Sequence, residues 1–266
     1  MLKRILSAIV LLLIFIPPLI IGGVMFYILV FAVALLSLNE LLTIISTKKE
    51  LPPIIKFLGF IVLPFLVLNN YDSTSLEFTI NYNIFALMLL TFFVPIILYK
   101  NNKYNFKDAI ILLGSVFLIG ISFNLILTLR NYGDSFYYLL FLFIITIITD
   151  TYAHLTGTLI GKIKLTDISP KKTVEGALVG SLFGTIFGSL FYFIAINDTI
   201  NIYYLVLIVL FLSIIGQIGD LIFSSIKRYY GKKDFSNLIP GHGGMLDRLD
   251  SVIFVVLVFV LFIKVL

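Results

Sequence analysis

The chain has no cysteine, no tryptophan, two histidines and little charge: Asp, Glu, Lys and Arg make up 12% of its 266 residues. Without cysteine, disulfides and thiolate metal sites are excluded. Without tryptophan, an interfacial aromatic belt is left to the 14 Tyr and some of the 26 Phe. The scarcity of charge says most. A soluble domain carries about 25% charged residues, whereas this chain is 60% hydrophobic with a mean hydropathy of +1.13. It belongs in a bilayer, and no stretch is polar enough for a soluble domain. The net charge of +5 gains meaning only once it is placed on the two sides of a membrane, and no nucleic-acid partner is expected.

A membrane helix needs about 20 apolar residues. Nine stretches qualify, at about 5–22, 24–46, 53–69, 82–99, 108–129, 136–160, 175–196, 201–223 and 249–266. The expected fold is an all-α integral membrane protein, a polytopic bundle of about nine transmembrane helices forming one membrane domain. Lys3 and Arg4 precede an apolar run as in a signal peptide, but no small-residue cleavage site follows, so the segment reads as a retained helix. Pro17 and Pro18 predict that it kinks or ends early. The stretch 69–81 reads as an ordinary exoplasmic loop.

The basic residues orient the bundle. With the N-terminus cytoplasmic and nine alternating spans, the cytoplasmic segments hold every Lys and Arg except Arg130 and Lys264. Such a positive-inside bias fixes the N-terminus in and the C-terminus out. It also places residues 224–250, the one long stretch dense in charge, in the cytosol.

Charges inside spans need a reason, since each costs about 2.5–3.5 kcal/mol at the bilayer centre. Glu40, beside Asn39, reads as a polar contact between helices near the cytoplasmic end. Asp150 and His154 lie one turn apart, as a satisfied pair or as the wall of a polar cavity. Asp220 follows Gly216, Gln217 and Gly219, glycines that let a backbone or ligand approach, and reads as functional. Gly176, Gly180, Gly184 and Gly188 make one flat helix face for close packing within the chain or in a homodimer.

The polar segments carry the chemistry. Asp247 and Asp250 lie on one side of the first turn of the last span, and Asp220 ends the preceding span on the same side of the membrane. Hard oxygen ligands in that number suit Mg²⁺ held with nucleotide phosphates, with a two-metal site as one arrangement. Lys227, Arg228, Lys232, Lys233 and Arg248 supply the positive counterpart, and His242-Gly243-Gly244 forms a turn whose backbone can approach phosphate. The alternative is a basic loop held near anionic headgroups. A second cytoplasmic segment, Ser169-Pro170-Lys171-Lys172, places cations just before the seventh span.

Together these residues resemble the CDP-diacylglycerol synthase, or phosphatidate cytidylyltransferase, family. Its C-terminal signature appears here as Ser224, Lys227-Arg228, Lys233-Asp234, Pro240, His242-Gly243-Gly244, Asp247-Arg248 and Asp250. The Asp150 segment and the segment from Ser169 to Gly176 are also similar, so the resemblance covers 135–266, while 1–134 matches only in having several spans. His154 stands where the family often has an aromatic residue, and Thr158 where it often has a basic one. The resemblance implies transfer of CMP from CTP to phosphatidic acid, giving CDP-diacylglycerol and pyrophosphate, with Mg²⁺, at the cytosolic face of the cell membrane. It implies Asp220, Asp247, Lys227 and Arg228 as catalytic, with Asp220, Asp247 and Asp250 on metal. Ser169, Lys171, Lys172, Lys233, His242, Gly243, Gly244 and Arg248 are then expected to bind substrate. The rivals are an ion-coupled transporter built on Glu40, Asp150, His154 and Asp220, and a CTP-dependent lipid kinase or CDP-archaeol synthase.

Overall fold

The structure is a computed structural model. It describes residues 2–69, 82–99, 102–132, 136–263 and 266, with first-helix side chains from Leu6 onward except Ala8. The expected loop 69–81 therefore lies, from residue 70, outside the described residues, as do Lys100, Lys264 and the side chains of Lys3 and Arg4.

Among the described residues there are ten helices and no strand. They are α1 (Leu2–Ile21), α2 (Gly23–Ile45), α3 (Pro53–Val67), α4 (Tyr82–Phe93), α5 (Pro95–Leu98), α6 (Phe106–Asn131), α7 (Tyr137–Leu159), α8 (Val174–Ala195), α9 (Ile202–Tyr229) and α10 (Leu246–Phe262). Each expected apolar stretch coincides with one helix, except that 82–99 holds two. Pro95 lacks the N–H that would continue the ladder, so the helical hydrogen bonding is interrupted there, while Val94 keeps helical φ and ψ. Five helices, α2 and α6 to α9, are long and apolar enough to cross a membrane. Ile9–Ile21, Pro53–Val67 and Tyr82–Leu98 are shorter apolar segments, and α10 has 17 residues.

Pro17 and Pro18 do not end the first helix. α1 runs through both and stops where Gly22 takes a φ of +73°. The last carbonyls of a helix lack intrahelical partners. Here Arg130 supplies them, Nε donating to Leu19 O at 2.8 Å and Nη2 to Ile20 O at 2.9 Å. The positive φ is what calls for glycine at 22; a Cβ there would also lie 2.6 Å from that Nη2, which would have to move. Arg130, an exception to the charge bias, is thus spent on closing a helix.

The chain divides into two compact units, Met1–Asp134 with Asp234–Arg248, and Ser135–Lys233 with Leu249–Leu266. In the first, α6 begins with a capping box between Asn105 and Asp108, and Asp108 also pairs with Lys49. Gly59 lets α3 approach Val116 of α6 and Leu42 of α2. In the second, the glycine face of α8 lies on α7. A Cβ at Gly176 would sit 2.5 Å from Ala153 O, at Gly180 2.6 Å from Thr149 O, and at Gly184 2.1 Å from Thr149 Oγ1. That face is occupied within the chain, so it does not serve a homodimer.

Candidate active site

In the first unit, residues 234–248 form a loop and the start of α10. Ile239 N donates to Gly243 O at 2.8 Å and His242 N to Ile239 O at 2.9 Å, closing a turn over Pro240-Gly241-His242. Gly241 and Gly243 hold φ values of +79° and +85°, which L side chains rarely adopt. Two carboxylates fasten this loop. Asp247 Oδ2 accepts from Gly244 N at 2.8 Å and Phe235 N at 2.9 Å. Glu40, 4% exposed in α2, accepts from Ser236 Oγ at 2.6 Å, Met245 N at 2.8 Å and Leu246 N at 2.9 Å. Glu40, expected to make a polar contact between helices, does reach Leu246 of α10, and in addition takes Met245 N and Ser236 Oγ of the loop. Its need for a partner was visible in the sequence, but the identity of that partner was not.

The Arg248 guanidinium also works locally, donating from Nε and Nη2 to His242 O at 3.0 and 2.7 Å. Ser7 Oγ of α1 lies 2.9 Å from His242 Nδ1 and donates to Pro240 O at 3.1 Å. Sequence reasoning gave Ser7 no role, and an isolated serine in an apolar run carries no signal for one.

In the second unit, the segment before α8 folds back on itself. Val174 N donates to Ile163 O and Leu165 N to Lys172 O, both at 2.9 Å, and Lys172 N donates to Ser169 O at 2.9 Å. Thr173 caps α8 by accepting from Gly176 N at 3.1 Å. This hairpin fixes Lys172, whose Nζ lies 2.5 Å from Asp220 Oδ2 of α9. Ser169 is partly buried at the bend, and Lys171 is exposed.

Helical spacing puts Asp220, Ser224, Lys227 and Arg228 near one another along α9. Ser224 Oγ donates to Asp220 Oδ1 at 3.2 Å, Lys227 is buried, and exposed Arg228 donates from Nη1 to Lys232 O at 3.1 Å. Gly219 clears room for α10, since a Cβ there would lie 2.8 Å from Phe254 and 3.0 Å from Asp250 O. That approach brings Asp250 within electrostatic reach of Asp220, Lys227 and Asp150. Asp150 also accepts from Ser251 Oγ at 3.4 Å. His154 and Lys233 are exposed.

Asp150, Asp220 and Asp250 thus stand close to Lys172 and Lys227. Among the described residues no three His, Asp or Glu side chains gather to hold one ion. The carboxylates fit a metal shared with substrate oxygens, the usual arrangement for Mg²⁺. The chemistry available is charge neutralisation of phosphates by lysine and arginine, together with hard oxygen ligation.

Such a fold defines a polytopic helical membrane protein. A profile described as the cytidylyltransferase family matches residues 2–266. The chain is 35% identical over 255 residues, 95% of each chain, to the phosphatidate cytidylyltransferases of Staphylococcus haemolyticus and Staphylococcus aureus strain COL. It is 37% identical over 258 residues, again 95% of each, to that of Staphylococcus epidermidis. The chain belongs to the cytidylyltransferase family.

Proposed function

We propose that the protein is a phosphatidate cytidylyltransferase, moving CMP from CTP to phosphatidic acid and releasing pyrophosphate. The observation that carries this reading in the geometry is the Lys172–Asp220 pair, a phosphate-binding cation and a metal-type ligand brought to one place from two distant segments. Relatives of that name, aligned over 95% of each chain, support it.

A phosphate oxygen of phosphatidic acid attacks the α-phosphorus of CTP. The new O–P bond forms as the bond from the α-phosphorus to the α,β-bridging oxygen breaks, and the electron pair leaves on pyrophosphate. The nucleophile is already an anion, so no strong base is needed; positioning and charge cancellation are. Lys172 and Lys227, the latter buried, would neutralise phosphate charge, while exposed Lys171, Arg228 and Lys233 draw in the triphosphate. Ser169 would donate to a phosphate oxygen from the hairpin bend. His242, Gly243 and Gly244 would shape the nucleotide pocket, with Arg248 holding the His242 carbonyl. Mg²⁺ would be held by Asp220 and Asp250 and would supply further charge neutralisation, while Asp247 is proposed as a ligand on its sequence position alone.

The distribution of Lys and Arg supports a site facing the cytosol, where CTP is available, in the cytoplasmic membrane. A homodimer would have to use a surface other than the glycine face. The test is CTP labelled at the α-phosphorus, supplied to purified protein with phosphatidic acid and Mg²⁺. Label in lipid supports cytidylyl transfer, whereas lipid labelling from γ-labelled CTP would identify a lipid kinase.

A further inference from the structure

Glu40 has no part in that reaction, yet a carboxylate in an apolar helix has to be balanced. The balance comes from one place, the loop and helix start that carry His242, Asp247 and Arg248. The first N–H groups of a helix have no intrahelical partner, and the positive end of its dipole favours an anion. Glu40 supplies both needs from another helix, taking the N–H groups of Met245 and Leu246 at the start of α10.

Gly244 gives an independent observation. Its φ is outside the left-handed region, unlike those of Gly241 and Gly243, so the backbone alone does not call for glycine. Space does. A Cβ at 244 would lie 2.6 Å from both carboxylate oxygens of Glu40 and 2.7 Å from the carboxyl carbon. The Gly244 N–H in turn goes to Asp247. Residues 235–246 are therefore held from both ends, by Glu40 through Ser236, Met245 and Leu246, and by Asp247 through Phe235 and Gly244.

We propose that Glu40 is a positioning residue for cytidylyl transfer: it fixes the register of the His242–Gly244 turn and of the first turn of α10, and through them the orientation of Asp247 and Arg248. The proposal rests on the cytidylyltransferase reading above. It predicts that Glu40 acts on turnover through the loop, beyond any effect on folding. In Glu40→Gln one carboxylate oxygen becomes an NH₂ donor facing backbone or hydroxyl donors, so the loop loses an acceptor while the size of the side chain is kept.

The test compares the purified full-length wild type with Glu40→Gln, Glu40→Asp, Gly244→Ala, Ser236→Ala and the Glu40→Asp/Gly244→Ala double variant. Amide hydrogen exchange over 236–246 reads the loop without reference to any reaction, and steady-state kinetics per mole of folded protein read the chemistry. Glu40→Gln is expected to speed exchange at Met245 and Leu246 and lower kcat about tenfold or more, with a smaller change in KM for CTP. Ser236→Ala, which removes a single partner and leaves the buried carboxylate intact, lowers kcat about two- to fivefold and serves if Glu40→Gln does not fold. Shortening the acid makes room for a methyl group, so Glu40→Asp restores part of the turnover lost in Gly244→Ala. With an active wild type, unchanged exchange, unchanged kcat, or loss of turnover that merely tracks loss of folded protein overturns the proposal. No CMP transfer by the wild type overturns the cytidylyltransferase reading, and this proposal with it.

Discussion

Lys172 Nζ lies 2.5 Å from Asp220 Oδ2, each side chain 24% exposed, joining the hairpin before α8 to the C-terminal half of α9. In this pair each charge is cancelled by the other. In the proposed reaction an arriving triphosphate would offer the lysine another partner and leave the carboxylate to a metal.

Removing either partner should therefore harm catalysis more than folding. Lys172→Ala and Asp220→Asn are each expected to lower kcat/KM for CTP by about 10²–10³-fold. The pair is only partly buried, so the cost in stability should stay near 1–2 kcal/mol, between the values for exposed and buried pairs. In a double-mutant cycle the combined variant should lose little more than the worse single one. Activity assays alongside thermal unfolding in detergent separate the two effects.

Thr173 is expected to matter for both stability and substrate binding. Thr173→Ala removes the cap on α8 and should cost about 1 kcal/mol, while Thr173→Ser keeps the hydroxyl and most of the stability. Because Lys172 precedes it in the hairpin, Thr173→Ala should also raise KM for CTP. An unchanged KM alongside a lowered melting temperature would confine Thr173 to the helix.

Two glycines in helices should respond in opposite directions. Gly184→Ala drives a methyl group into Thr149 Oγ1, which is itself 2.7 Å from Ser213 Oγ, and should destabilise by about 1–3 kcal/mol. Gly114 in α6 has nothing within 4 Å of its would-be Cβ, so Gly114→Ala should stabilise by about 0.5–1 kcal/mol. Thermal unfolding of both variants checks the pair.

The helices were legible because a bilayer leaves little choice: a long apolar run must satisfy its own backbone, and a helix does so. The interruption before Pro95 was not read, although the proline was its signal; of the kink or early end read at Pro17 and Pro18, the early end is excluded because the helix continues to Ile21. Of the site, the sequence showed which residue types could serve phosphate and metal. It did not show what already engages them. Asp247 looks like a metal ligand in the chain, but its Oδ2 accepts two backbone N–H groups. Glu40 is a lone acid in an apolar helix until the fold brings Ser236, Met245 and Leu246 to it. Partners so distant in the chain leave no local pattern.

In the proposed reaction the protein transfers CMP to a lipid phosphate with the help of a divalent cation. The most direct measurement supplies the purified protein with phosphatidic acid and CTP labelled at either the α- or the γ-phosphorus, with Mg²⁺ or with excess chelator. The account predicts α-label in lipid, γ-label in pyrophosphate, and loss of both products when the cation is removed. Lipid carrying the γ-label, or undiminished transfer under chelation, would contradict it.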